Sequence, residues 1–519
     1  MKDEHCDSKI VEEIREKGKT STETKYAKPK APRRRNSKKP NQALPKGNRN
    51  NDPNWYFESS VLAEQAASIS FNQYQGLPFQ IPQISADGSK FYTVRIPSIY
   101  KFNINPSAGE TANVNSGINI AALRTYSTLS SRNAKTTGYA PQDVTMLLLA
   151  LGNIISTAEF LRRAFGTAFT YNVRNRDLPR ELLRIQNINA DDFLQHLADY
   201  RLQFNSIITA INKIPFPSNI AYLFKCADIY QHVYLDGTSD MSAVVVMCPA
   251  SVWTFDEAYS DQGSGLRTTA IPTSTQAFSA WLQLLSSQVT AIMESSTFNY
   301  IYSDVLNYAD RTGAKLLYLD YLTEDYAVVP EYNENFMLQI HNSTVMGTPN
   351  GTAAAGITAS NDVAPNADKN KVDYFPQFPI VEGVNFAETI IDFPTPTAST
   401  TDIIEATRFT ALPFLGSGTV TTQVAIPDHY VTSVARTRPG LSYGGLISSW
   451  SSATDSAGNL GDIDVLTDMS HLDWAPILYY VHDDTTVSVA GDLNYYTTVG
   501  FNWLMRVNDL TFQSLFNLR

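Results

Sequence analysis

Ten cations fall within residues 25–50 with no acid among them: Lys25, Lys28, Lys30, Arg33, Arg34, Arg35, Lys38, Lys39, Lys46 and Arg49. Ammonium and guanidinium groups at this density neutralise phosphates and release the counterions condensed on them, so a polyanion is the chemistry they suit. Nothing in the stretch forms a base-reading fold, and contact would be indifferent to sequence. Tyr26 adds one ring able to stack on a base. A solvated linker and a nuclear-localisation signal in RRRNSKK are the competing readings.

The rest of the chain offers less. His471-Leu472-Asp473 and His482-Asp483-Asp484 are polar clusters from which a metal site or an acid/base pair could be drawn, but solvated loop residues explain them more simply. The chain holds no H-E-x-x-H, no G-x-x-x-x-G-K-[ST] and no G-x-G-x-x-G. Gly263-Ser264-Gly265 and Gly416-Ser417-Gly418 read as flexible turns and lack the spacing of a nucleophile elbow. The three cysteines, Cys6, Cys226 and Cys248, have no metal-ligand spacing and fit a reducing compartment. No catalytic residue, metal site or cofactor is expected.

The cations need a body to hang from, and the charge count separates the two. Of 40 basic and 51 acidic residues, 15 and 7 fall in 1–50, a balance of +8; the 25 basic and 44 acidic residues left give 51–519 a balance of −19. A basic tail on an acidic body directs a polyanion to the tail alone. Prolines at 29, 32, 40, 45 and 53 forbid a continuous helix there, and little apolar surface is available to bury, so a disordered arm is expected. The start lacks the apolar stretch of a secretory signal, and the longest apolar run, 146–151, is too short to cross a bilayer.

Order should begin at Asn54-Trp55-Tyr56-Phe57, followed by a helix within 61–74, a winding proline-rich stretch and a strand at 91–96. From 118 to 235 the pattern is helical. Pro141 suits a first helical position, and Val144, Leu147, Leu148, Leu151, Ile154, Ile155, Ala158, Leu161 and Phe165 keep one apolar face. A second helix starts at Asn189 as N-cap and runs until Pro215 stops it; a third occupies 218–235. Residues 242–248 read as a buried strand and 276–308 as a helix with Phe278, Trp281, Leu282, Leu285, Val289 and Ile292 on one side. The Gly, Ala, Thr, Asn and Asp of 342–372 suggest a long surface loop, 373–500 short β-prone pieces, and 499–518 a buried C-terminus.

Several segments resemble picobirnavirus capsid proteins. Asn51-Asp52-Pro53-Asn54-Trp55-Tyr56 after a basic arm is similar to the start of their ordered region. Ala122-Leu123-Arg124-Thr125-Tyr126, Phe160-Leu161-Arg162-Arg163-Ala164-Phe165-Gly166, Tyr171, Asn175-Arg176, Pro179 and Leu182-Leu183 follow in the expected order, so the likeness covers roughly 50–185. The resemblance implies a coat protein of a small bisegmented double-stranded RNA virus. Two-fold dimers, exchanging segments, would close a small T=1-like icosahedron with the arm facing the genome. It implies the virion as location, assembly in the host cytoplasm, no membrane, and as partners other copies of the chain, viral double-stranded RNA and the viral polymerase. In some relatives the precursor removes its own N-terminal peptide; no residue here matches a motif for that cleavage.

The expected fold class is α+β: a disordered basic arm over 1–52, a mainly helical shell domain over 53–255, a loop-rich, partly β projecting domain over 256–484, and a segment returning to the shell over 485–519. The alternative is a nucleocapsid-like protein that coats RNA without closing a shell. A hydrolase with a triad assembled from distant residues is a third reading, against which the lack of a local nucleophile motif weighs.

Overall fold

The computed structural model describes residues 59–68, 78–82, 91–95, 99–131, 138–170, 178–239, 242–349, 351–352, 357, 361–378, 387–415, 421–436, 442–444, 469, 471–483 and 486–518. The basic arm and the aromatic anchor at 54–57 lie outside them. The chain divides into two units, Met1–Phe71 and Asn72–Arg519. In the first, the described residues form helix α1 (Ser60–Ala67), where Ser59 caps by accepting from Leu62 N at 3.3 Å and no side chain is buried.

The second unit has an α+β fold. A hairpin, β1 (Pro78–Pro82) and β2 (Phe91–Arg95), precedes β3 (Ile99–Pro106). Helices follow: α2 (Gly117–Ser131), α3 (Pro141–Ala168), α4 (Leu178–Ile185), α5 (Ala190–Gln195), α6 (Leu197–Ile211) and α7 (Ala221–Gln231). Then come β4 (Tyr234–Leu235), β5 (Val244–Pro249), β6 (Ser251–Ser260), β7 (Gly263–Ala270), α8 (Ser279–Met293), α9 (Ser296–Thr312), β8 (Glu331–Tyr332) and α10 (Glu334–His341). Short strands dominate the remainder: β9 (Gly351–Thr352), β10 (Ala364–Asn366), β11 (Lys371–Asp373), β12 (Pro376–Gln377) and β13 (Glu388–Ile391). After α11 (Thr400–Ala406) come β14 (Leu412–Leu415), β15 (Thr421–Ala425), β16 (His429–Arg436) and β17 (Ser442–Gly444). The chain ends with β18 (Leu478–Asp483), β19 (Thr486–Ala490), β20 (Thr497–Gly500) and α12 (Phe501–Leu515).

Helix α3 is the centre of the molecule. Pro141 opens it, and the Asp143 carboxylate accepts from Ala140 N at 2.7 Å, using a donor the first turn leaves over. The sequence suggests a helix with one apolar face; instead 24 of its 28 residues are buried, so neighbours cover it on all sides. Helix α7 comes so near that a Cβ at Gly152 would lie 2.4 Å from the Tyr222 ring and 3.0 Å from Cys226 Sγ. The predicted face of α8 is buried as well: Trp281, Leu282, Leu285, Val289 and Ile292.

A six-stranded sheet, ordered β17-β16-β3-β5-β4-β8, packs into the same core. β3 runs parallel to β5 and antiparallel to β16, so residues 100–106 are paired with 429–436. The border expected at 255/256 falls inside β6, whose hairpin with β7 carries the buried Trp253 and Phe255. At the C-terminus α12 packs on α2, with Gly117 N donating to Asp509 Oδ1 at 2.7 Å and Thr125 Oγ1 to Phe516 O at 2.9 Å.

Three expectations change. The helix predicted from Asn189 breaks at His196, where the Asp192 carboxylate accepts from Tyr200 Oη at 2.9 Å and Phe278 N at 2.8 Å. The helix predicted over 276–308 is two, because Ser295 caps a new start and Glu257 accepts from Ser296 N at 3.0 Å. The surface loop predicted over 342–372 is partly interior. Asn361 O accepts from Trp253 Nε1 at 2.8 Å, and the Asp362 carboxylate accepts from Tyr259 Oη at 3.0 Å and Thr268 N at 2.7 Å. These polar residues satisfy buried donors where the composition suggested solvent.

The Gly152 approach is testable. Gly152→Ala should lower stability by about 1–3 kcal/mol through overpacking, read as a lower denaturant midpoint with an unchanged slope.

Candidate functional site

The cations expected to meet phosphate, from Lys25 to Arg49, lie outside the described residues, and so does their geometry. Of the two polar clusters weighed for catalysis, one is described in part and the side chains of the other lie outside the described residues. His471 is exposed, and Asp473 N donates to Asp236 Oδ2 at 3.2 Å; His482 sits on β18, its side chain outside the description. Among the described residues no three His, Cys, Asp or Glu side chains are grouped to hold a metal.

Buried charges that sequence reasoning missed are structural. Arg163 is fully buried on α3; its Nη2 donates to Met247 O at 2.5 Å, Nη1 to His232 O at 3.2 Å and Nε to Gln186 Oε1 at 3.2 Å. Burial lowers its pKa, opposed by the nearby Cys248 thiol. Asp428 is buried between α7 and the sheet. Burial alone would raise its pKa, yet Lys225 Nζ at 2.6 Å and His429 Nδ1 at 2.9 Å hold it well below the ordinary carboxylate range.

One constellation has the residue types of a hydrolase. His341 Nε2 lies 3.2 Å from Asp392 Oδ2, and Ser343 is buried with no partner for its Oγ among the described residues. A triad needs the other imidazole nitrogen turned to the hydroxyl. Here Nδ1 faces Ala475 O at 2.8 Å, and Ser343 lines a cavity of about 20 Å³, no larger than a site for roughly one water. The group ties α10 to β13; it does not assemble a nucleophile.

The surface offers more. Residues 314–323 cross α6 as an irregular strap, and the chain turns at 324–325 before Val328 reaches α3. Asn205 Oδ1 accepts from Leu322 N at 2.8 Å while its Nδ2 donates to Leu322 O at 3.0 Å. Asn212, two turns along, clamps Leu319 the same way at 2.8 and 2.9 Å. Leu317 N donates to Phe216 O at 2.7 Å and Val328 N to Gly166 O at 3.1 Å; Arg162 donates to Asp320 O, and Arg201 pairs with Glu324. Leu317, Leu322 and Val328 therefore enter the core. Tyr318 (60% exposed), Tyr321 (46%) and Val329 (76%) face outward, with Leu202 (73%) on α6 nearby in sequence to Arg201 and Asn205. Tyr318 and Tyr321, adjacent rings turned outward, are the kind of side chains that mark an association surface.

Comparison with known proteins gives one answer. The sequence profile of the family described as "Picobirnavirus, Capsid protein" matches residues 55–497. The "Capsid protein precursor" of Human picobirnavirus (strain Human/Thailand/Hy005102/-) is 23% identical over 510 residues, covering 90% of this chain and 91% of that relative. A crystallographic picobirnavirus capsid structure shares the fold, with a TM-score of 0.75 at 18% identity over 90% of this chain and 98% of the other. These findings define a viral coat protein. The chain belongs to the picobirnavirus capsid protein family. Its role is structural, its place is the virion, and it assembles with copies of itself.

The Asp428 node gives a pH-dependent prediction. Its folded-state pKa is depressed, so its stabilisation is present above about pH 4 and is lost as pH falls toward the lower folded value. Lys225→Met should cost about 3–5 kcal/mol at pH 7, because a buried carboxylate loses its cation. The deficit should shrink on acidification, as followed by chemical unfolding at pH 7 and pH 4.

Proposed function

We propose that this chain pairs into dimers that close a small icosahedral, T=1-like shell, and that the shell packages double-stranded RNA through the cations of residues 25–50. The charge split carries this reading: +8 over 1–50 against −19 over 51–519. One arm binds weakly at physiological salt, whereas many arms in one cavity bind strongly through effective concentration. An acidic body discourages RNA from adhering elsewhere.

In this reading the projecting part is drawn from exposed loops and hairpins within 256–484, because α8, α9 and β16 contribute to the common core. Residues 485–519 fasten to the shell through the α12–α2 contact. Assembly takes place in the host cytoplasm and encloses the viral polymerase with the genome.

Particles from a chain lacking residues 1–50 should form closed spheres with RNA content reduced several-fold, measured by absorbance ratio and electron microscopy. Unchanged RNA content would remove the arm from the packaging role, and filaments or free complexes from the full chain would favour an RNA-coating protein without a shell.

A further inference from the structure

We propose that the strap over α6 is a two-fold contact between copies of this chain, centred near Tyr318; this deepens the shell reading and rests on it. The strap is fixed before any partner arrives. Both backbone groups of Leu319 and Leu322 are clamped by Asn212 and Asn205, and Leu317 and Leu322 are anchored in the core. An outward face held this firmly loses little conformational freedom on docking. Its centre is aromatic, with the Tyr318 and Tyr321 rings 6.4 Å apart and edge to face. Tyrosine-rich centres of this kind are typical of protein–protein contacts.

Charge decides what the face fits. Lys315 precedes Tyr318, and Asp320 and Asp325 follow it, all exposed; Glu324 is already paired with Arg201, and Asp310 offsets Arg311 at the end of α9. Asp320 and Asp325 disfavour a phosphate polymer on this side of the strap. In a two-fold contact residue i meets j and j meets i. Two straps laid antiparallel about Tyr318 set the cationic end of each against the acidic end of the other; laid parallel, they would oppose like charges. The sequence of the strap is therefore complementary to itself.

Sedimentation of the full chain over a range of concentrations, at low and moderate salt, tests this. Tyr318→Asp, at a position 60% exposed, should leave the unfolding midpoint unchanged and weaken self-association about tenfold or more. Lys315→Glu and Asp320→Lys should each weaken it, and the two together should restore it to within about threefold, because the reversed charges again face each other. Arg162 bonds the Asp320 carbonyl oxygen, so that bond survives the substitution. Should Tyr318→Asp fail to fold, the charge reversals decide alone. A double variant weaker than either single one overturns the two-fold geometry. Variants that associate like the unsubstituted chain, while that chain forms shells, overturn the strap and leave the shell reading standing. An unsubstituted chain that stays monomeric at every concentration overturns both.

Discussion

A 28-residue helix covered on all sides must carry polar groups inward, and α3 meets its neighbours through directional bonds from three of them, Asn153, Ser156 and Arg163. Asn153 Oδ1 accepts from Trp253 N at 2.7 Å and from Gln288 Nε2 at 3.0 Å, fixing β6 and α8. Ser156 Oγ donates to Cys226 O at 3.1 Å and fixes α7. Arg163 reaches the carbonyl oxygens of His232 and Met247, the end of α7 and strand β5. Apolar burial drives these elements together but has no direction. The polar groups of one helix supply the register in which they meet.

The same rule explains what could be read in advance. The helix from Pro141 and the face of α8 were legible because their information is local: a proline, a period and a run of apolar residues. β3 was legible only as an extended stretch. Its Lys101, Asn103 and Asn105 interrupt the apolar pattern, yet all three are buried, bonded to Asn187, Ser433 and Tyr430. The last two partners stand more than three hundred residues away, and no local window contains them. The polar residues of 361–362 misled for the same reason. Counting charges singles out 25–50 in the sequence, and that segment lies outside the described residues. Asn205 and Asn212 could not be singled out, since two asparagines on a helix face gain meaning only when a strap lies across them.

A body carrying a formal −19 must nonetheless associate with its own copies. Net repulsion acts over a Debye length of about 8–10 Å in physiological salt, so surfaces in contact respond mainly to local pattern. Self-association then depends on outward aromatic and aliphatic side chains and on short alternations of sign, while the net charge acts at longer range on nucleic acid. Bulk charge and local charge can thus serve opposite ends in one molecule.

The partnership of β3 with β16 also sets a timetable. Asn103 and Ser433 are bonded across 330 residues of chain, so β3 leaves the ribosome long before its antiparallel neighbour exists. At roughly 5–20 residues per second that gap is on the order of tens of seconds. Through that interval one edge of the sheet stands open, a row of unpaired backbone groups able to template pairing with another chain. A product truncated before β16 therefore lacks the antiparallel neighbour of β3 and cannot complete the sheet.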